Sequence, residues 1–214
     1  MSRSSGISSA VDDLLLLIIS SPSGAGKTTL THRLLQQEKA MTFSVSCTTR
    51  APRSNEVDGQ DYHFLDEATF RKRIEAGEFA EWAEVHGNLY GTAVSEIDRA
   101  RAENKSVLLF DVDHQGSRQI MAKFPEAVSV FILPPSMAEL RRRLESRGTE
   151  TEESLSRRFA KAKAEIAHYA SFSYLVVNAD VQHALAELTG IIRAETARST
   201  RRSRAMLAEA LLRE

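Results

Sequence analysis

Six apolar residues, Leu14-Leu15-Leu16-Leu17-Ile18-Ile19, run without interruption into Ser20-Ser21-Pro22-Ser23-Gly24-Ala25-Gly26-Lys27-Thr28. A continuous apolar run of this length suits a parallel strand covered on both faces. The run is far too short to span a bilayer. With two aspartates directly against it and Arg3 the only charge before Asp12, it reads as a buried first strand rather than a secretory leader. The glycines that follow let the backbone wrap tightly, so that its N–H groups converge on a phosphate. A helix expected over roughly Lys27 to Glu38 adds positive potential at its N-terminus. This strand–loop–helix order fits G-x-x-x-x-G-K-[ST] except at its first position, where Ser21 stands for glycine. The loop therefore predicts a nucleoside triphosphate site, in which Lys27 reaches the β- and γ-phosphates and the Thr28 hydroxyl helps to hold Mg²⁺. A loop alone does not name the acceptor.

The rest of the chain alternates in the same manner. Phe43-Ser44-Val45-Ser46, Val107 to Phe110, Ser129 to Leu133 and Tyr174 to Val177 read as strands. Glu67 to Ala76, Val94 to Glu103, Met137 to Glu145, a stretch from Thr151 or Glu152 toward Tyr169, and a C-terminal run from Val181 to about Arg204 read as helices. Phe79 to Val85 fits either type. Strands alternating with helices predict an α/β fold with right-handed crossovers and a mostly parallel sheet. The polar stretch 47–92 interrupts the alternation and reads as an insertion, and a second, smaller one falls at 138–160. The expected core is then 13–46, 93–137 and 161–214, behind a Ser- and Gly-rich disordered tail at 1–12.

Composition narrows the function classes. Charged residues make up 27% of 214 residues and the formal net charge is −1, so no global basic field argues for nucleic acid or an acidic membrane. Cys47 is the single cysteine, which excludes an internal disulfide and a cysteine-rich zinc site and fits a reducing, cytoplasmic setting. The six histidines lack metal-ligand spacing.

Further motifs give the chain a resemblance to guanylate kinases, P-loop nucleoside monophosphate kinases, from about Leu14 to Arg204. They are Ser44 to Arg53, Glu56-Val57-Asp58-Gly59-Gln60-Asp61-Tyr62, Phe79 to Val85, Tyr90-Gly91-Thr92, Asp111-Val112-Asp113, Arg147-Gly148-Thr149 and Val176-Val177-Asn178. The resemblance implies a P-loop NTPase-type sheet flanked by helices, an inserted GMP-binding subdomain, a small helical lid, and transfer of the γ-phosphoryl group of ATP to GMP with Mg²⁺. It implies ATP contacts from Ser23, Gly24, Ala25, Gly26, Lys27, Thr28 and Thr29, with Asn178 on the adenine side. Arg50, Arg53, Tyr62 and Tyr90 would grip the GMP phosphate, a task suited to guanidinium forks and phenol donors. Ser46, Glu81, Thr92 and Asp113 would surround guanine, whose N1–H and N2 amine a carboxylate accepts together. Asp111, at a strand end, would orient water on Mg²⁺ beside Thr28. Lys27, Arg143, Arg147 and Arg158 would stabilise the transferred phosphoryl group. The segment between Tyr90 and Asp111 carries one residue more than the family pattern, which leaves the parts of Asp111 and Asp113 open between them.

Plainer readings stand beside these. Arg50 and Arg53 on their own fit a solvated basic loop, Glu81 a surface acid, and Asp113 a cap of the following turn. Arg141, Arg142 and Arg157 fit helix-surface charge paired with nearby glutamates. Rival functions are a peptide-binding module that has lost catalysis, supported by Ser21 alone, and a P-loop kinase for another small acceptor. The arginines at 198, 201, 202 and 204 lie among acids and apolar residues, so a solvated or packed helix face outweighs nucleic-acid binding. The expected partners are GMP and ATP, with no nucleic acid or membrane; a monomer and a homo-oligomer both fit.

Overall fold

The computed structural model describes residues 13–146, 152–198 and 201–213. The expected tail at 1–12 and the lid residues Arg147, Gly148 and Thr149 lie outside these. In chain order the elements are β1 (Leu15–Ser20), α1 (Lys27–Gln37), β2 (Met41–Phe43), β3 (Ser46–Thr48), β4 (His63–Phe64), α2 (Glu67–Glu75), β5 (Phe79–Val85), β6 (Asn88–Ala93) and α3 (Ser95–Ala102). They continue with β7 (Val107–Asp111), α4 (His114–Lys123), β8 (Val128–Leu133), α5 (Met137–Glu145), α6 (Glu152–Ile166), β9 (Tyr174–Val177), α7 (Val181–Thr196) and α8 (Arg202–Leu211).

The main sheet has five strands in the order β2-β7-β1-β8-β9, all parallel. The apolar run supplies its central strand. Leu15, Leu17 and Ile19 pack on one face with Leu30 and Leu34 of α1 and Leu185 and Leu188 of α7. Leu16 and Ile18 pack on the other with Ile97 of α3 and Ile120 of α4. Leu15, Leu17, Ile18 and Ile19 are fully buried, and each such burial contributes roughly 1.5–3 kcal/mol. This two-sided covering is why the run needs no polar alternation.

The smaller sheet is mixed, in the order β4-β3-β6-β5, with its own core of Cys47, Phe70, Phe79, Leu89 and Ala93. Leu140 and Leu144 of α5 and Leu155 and Ala162 of α6 form another separate apolar cluster. Each cluster gives its part of the chain a core of its own.

Two sequence expectations change, one open reading is decided and one helix is new. The single strand expected at 43–46 is two, because the chain leaves β2 of the main sheet and enters β3 of the smaller one. At the crossing, Ser44 N–H donates to Leu109 O at 2.9 Å and Val45 N–H donates to Glu96 Oε2 at 2.8 Å. Phe79 to Val85 is a strand, paired with β6. α4, which sequence reasoning did not identify, starts at Asp113, whose carboxylate accepts from Gln115 N–H and Gly116 N–H at 2.9 Å each. The C-terminal run is not one helix: α7 ends at Thr196 and α8 begins at Arg202. Arg201 Nε donates to Glu195 O at 3.2 Å and so satisfies a carbonyl in the last turn of α7. No helix among the described residues is long and apolar enough to cross a membrane.

Candidate functional site

The carboxyl ends of β1 and β7 deliver the phosphate loop and Asp111 to the same edge of the main sheet, where ligands of open α/β sheets bind. Gly26 sits at φ +94°, and a Cβ there would run into Asn178 Nδ2, so only glycine fits this turn. α1 starts immediately after it with no acid in its first turn, which leaves the N-terminal N–H groups available to an anion. Among the described residues the non-glycine positive-φ positions are His86 and Asn104. Ser21 therefore holds an ordinary backbone conformation, and the departure from glycine imposes no strain.

Ser23, Gly24, Gly26, Lys27, Thr28 and Thr29 line a cleft of about 250 Å³ over the loop. Ala25 is buried beneath it, and its carbonyl accepts from Asn178 Nδ2 at 2.8 Å and Arg143 Nη1 at 3.3 Å. Lys27 Nζ ion-pairs with Asp111 and donates to Val112 O at 3.3 Å. Thr28, Asp111, Ser46, Tyr62, Asp61 and Phe43 share a larger neighbouring cleft of about 490 Å³. Thr28 borders both. The Thr28 hydroxyl and the Asp111 carboxylate are hard oxygen donors from two residues lining this cleft, a set that fits Mg²⁺ with its remaining positions left to phosphate and water.

The smaller sheet brings three residues far apart in sequence into one row. Its register opposes Ser46 to Thr92 and Glu81 to Thr92, so the three side chains share a face. Thr92 Oγ1 donates to Glu81 Oε1 at 2.8 Å and lies 3.2 Å from Ser46 Oγ. Glu81 is only 8% exposed. Burial raises its pKa to about 7, against the opposing effect of the Thr92 hydrogen bonds and with a smaller contribution from nearby Asp113. A Cβ on Gly116 would stand 2.9 Å from Glu81 Oε2, so the start of α4 closes on this carboxylate.

Arg50 is held by Glu56 through both carboxylate oxygens, at 3.0 and 2.8 Å, with its guanidinium carbon 5.4 Å from the Tyr62 ring centre. Tyr62 and Tyr90 meet edge to face at 6.1 Å. Arg53 is 73% exposed, at the edge of this cluster, with its guanidinium 3.9 Å from Glu56. Glu56, missed by sequence reasoning, carries Arg50 and accepts from Arg53 N–H at 2.7 Å. Its sequence signal was its place at the head of the Glu56–Tyr62 motif, six residues after Arg50, but no role was assigned to it there.

From α5, Arg143 donates to Asn178 O at 3.0 Å and to Glu139 at 2.8 Å. Arg158 donates to Ser23 Oγ at 2.9 Å. Arg141 pairs with Glu145 and Glu152 and Arg142 with Glu139, as surface charges do. Asp111 and Asp113 are thus separated in space: the first meets Lys27 and the second caps α4 beside Glu81. His114 stacks on His168, with ring centres 4.1 Å apart. Among the described residues no cluster of three or more histidines, cysteines and acids could hold a metal by itself.

A parallel sheet with a phosphate loop on its central strand, beside a cleft shared by α1, Asp111 and residues 46 and 60–62 next to the smaller sheet, defines a P-loop kinase of small acceptors. The guanylate kinase family model matches residues 14–195. A guanylate kinase of Myxococcus xanthus is 51% identical over 188 residues, covering 87% of this chain and 90% of the relative. One from Symbiobacterium thermophilum is 45% identical over 193 residues, covering 90% and 91%. The crystal structure of guanylate kinase from Anaplasma phagocytophilum superposes with a TM-score of 0.68 at 34% identity, covering 87% of this chain and 88% of that one. This chain belongs to the guanylate kinase family.

Proposed function

We infer that this protein transfers the γ-phosphoryl group of ATP to GMP, giving ADP and GDP. The observation that carries the acceptor's identity is the buried Glu81 carboxylate, aligned with Thr92 and Ser46 across three strands. An ionised carboxylate accepts from N1–H and the N2 amine of guanine together. Adenine lacks that donor pair and would leave the carboxylate unpaired, which such sites reject by large factors.

In this reading the loop N–H groups and Lys27 hold the ATP phosphates, with Ser23, Gly24, Ala25, Gly26, Thr28 and Thr29 around them; Asn178, expected on the adenine side, is 2% exposed and instead holds Ala25 O from beneath the loop. Thr28 and Asp111 are the residues that would hold Mg²⁺, which when bound neutralises charge on the phosphates. Arg50, Arg53, Tyr62 and Tyr90 hold the GMP phosphate, Arg53 from an exposed position beside Glu56. Ser46, Glu81, Thr92 and Asp113 read the base, Asp113 from its place at the head of α4. The GMP phosphate is ionised near neutral pH, so the reaction needs no strong base. Rate comes from alignment and charge neutralisation, to which Arg143, Arg158 and, outside the described residues, Arg147 contribute. The apolar clusters centred on Phe70 and Phe79 and on Leu140 and Leu144 support 47–92 and 138–160 as bodies that close on the core of 13–46, 93–137 and 161–214, although Ala93 and Ala162 extend them past those bounds and Ala80 packs with the main sheet.

The test is ADP formation from ATP and Mg²⁺ with GMP, AMP, CMP and UMP side by side. Selective turnover with GMP is expected. Turnover with another acceptor would discard the Glu81 argument, and none with any acceptor would favour a binding module.

A further inference from the structure

Glu165 plays no part in the sequence reading, yet it reaches the phosphate loop. Its Oε2 accepts from Ser23 N–H at 3.2 Å, and the residue lines the cleft over the loop. Its side chain is 15% exposed, with Lys161 Nζ 3.9 Å from Oε1. Arg158, on the same helix, holds the other end of that serine, donating to Ser23 Oγ at 2.9 Å. Positions 158, 162 and 165 share one face of α6. Between the two long side chains stands Ala162, fully buried in the apolar cluster with Leu140 and Leu144 of α5.

A carboxylate in an anion-binding cleft either competes with the incoming phosphates or braces the loop that receives them. Its place decides between the two. Glu165 engages the N–H of Ser23, ahead of the Gly24–Gly26 turn, and the first turn of α1 carries no acid. The amides at the helix N-terminus therefore stay available.

We propose that Glu165 is a positioning residue for the phosphoryl donor. It fixes the entry of the phosphate loop through Ser23 N–H and, with Arg158, sets the spacing between loop and α6. The inference rests on the reading of the loop as the ATP site.

The experiment compares Glu165→Ala, Glu165→Gln and Glu165→Asp in steady-state kinetics with ATP and GMP varied in turn, with thermal melts alongside. Loss of a charge-assisted hydrogen bond predicts a KM for ATP about tenfold higher in Glu165→Ala, with the KM for GMP unchanged. Glu165→Gln still presents an accepting oxygen and is expected to restore ATP binding to within about twofold of the parent. Glu165→Asp keeps the charge but falls short of Ser23, and is expected to follow the alanine variant while melting like the parent protein. An unchanged or lower KM for ATP in Glu165→Ala would overturn the proposal. So would equal losses for both substrates, or a glutamine variant as impaired as alanine. Absence of any ATP-dependent transfer by the parent protein would instead overturn the donor-site reading on which the proposal rests.

Discussion

Thr92 Oγ1 donates a 2.8 Å hydrogen bond to Glu81 Oε1 across two strands whose register sets these residues side by side. That bond favours ionised Glu81, but burial outweighs it and raises the carboxyl to about 7. The ordinary value is 4.5. Between the two, the folded protein keeps a proton that the unfolded chain has lost. Stability from this group is therefore highest at low pH and falls by roughly 3 kcal/mol as pH rises through 7. Glu81→Gln should melt higher than the parent at pH 8 and not at pH 4. It should also lose GMP-dependent turnover by about a hundredfold or more. In the parent, kcat/KM for GMP should rise to a plateau above about pH 7. In the glutamine variant, residual activity should lack that step and keep only the ionisation of the GMP phosphate.

Gly116 gives the start of α4 its approach to the same carboxylate. A Cβ there would stand 2.9 Å from Glu81 Oε2 and 3.1 Å from Val112 Cβ. Gly116→Ala should raise the KM for GMP about tenfold, as displacing one buried hydrogen-bonding group does, and leave the KM for ATP unchanged. Equal effects on both substrates would count against a base-specific role for this wall.

Lys27 is paired with Asp111 and Val112 O at the mouth of the loop. Lys27→Ala should lower kcat by about 10²–10³, the usual cost of removing one preorganised electrostatic donor, while the protein stays folded by circular dichroism. Ser21→Gly is the contrasting case. Since Ser21 lies outside the positive-φ positions, turnover should change by no more than about twofold.

Arg50 presents its guanidinium with Glu56 on one side and the Tyr62 ring on the other. Lysine keeps the charge but not the planar fork. Arg50→Lys should raise the KM for GMP by about tenfold, and isothermal titration with GMP alone should show the same loss. An unchanged affinity would return this arginine to the role of a solvated loop charge.

By itself the sequence determined the parts that depend on local order. The apolar run, the Gly-Lys-Thr turn and the helix after it specify a buried strand and a phosphate cradle. Contiguous residues suffice there, since the backbone itself makes the site. The alternation of strands and helices likewise fixed the class of sheet. Tertiary structure decided what depends on long-range pairing. Ser46, Glu81 and Thr92 became one row only through the strand register, which a resemblance could suggest and periodicity could not. The split of residues 43–46 between two sheets was illegible because the same residues suit a strand in either. α4 was hidden because Asp113, its cap, reads equally well as a ligand at a strand end. Glu165 and Ser23 lie 142 positions apart, and nothing local to a helical glutamate reveals that its carboxylate meets a loop amide. Contacts of that kind arise only when separate elements pack, because packing and not chain order brings donor and acceptor within reach.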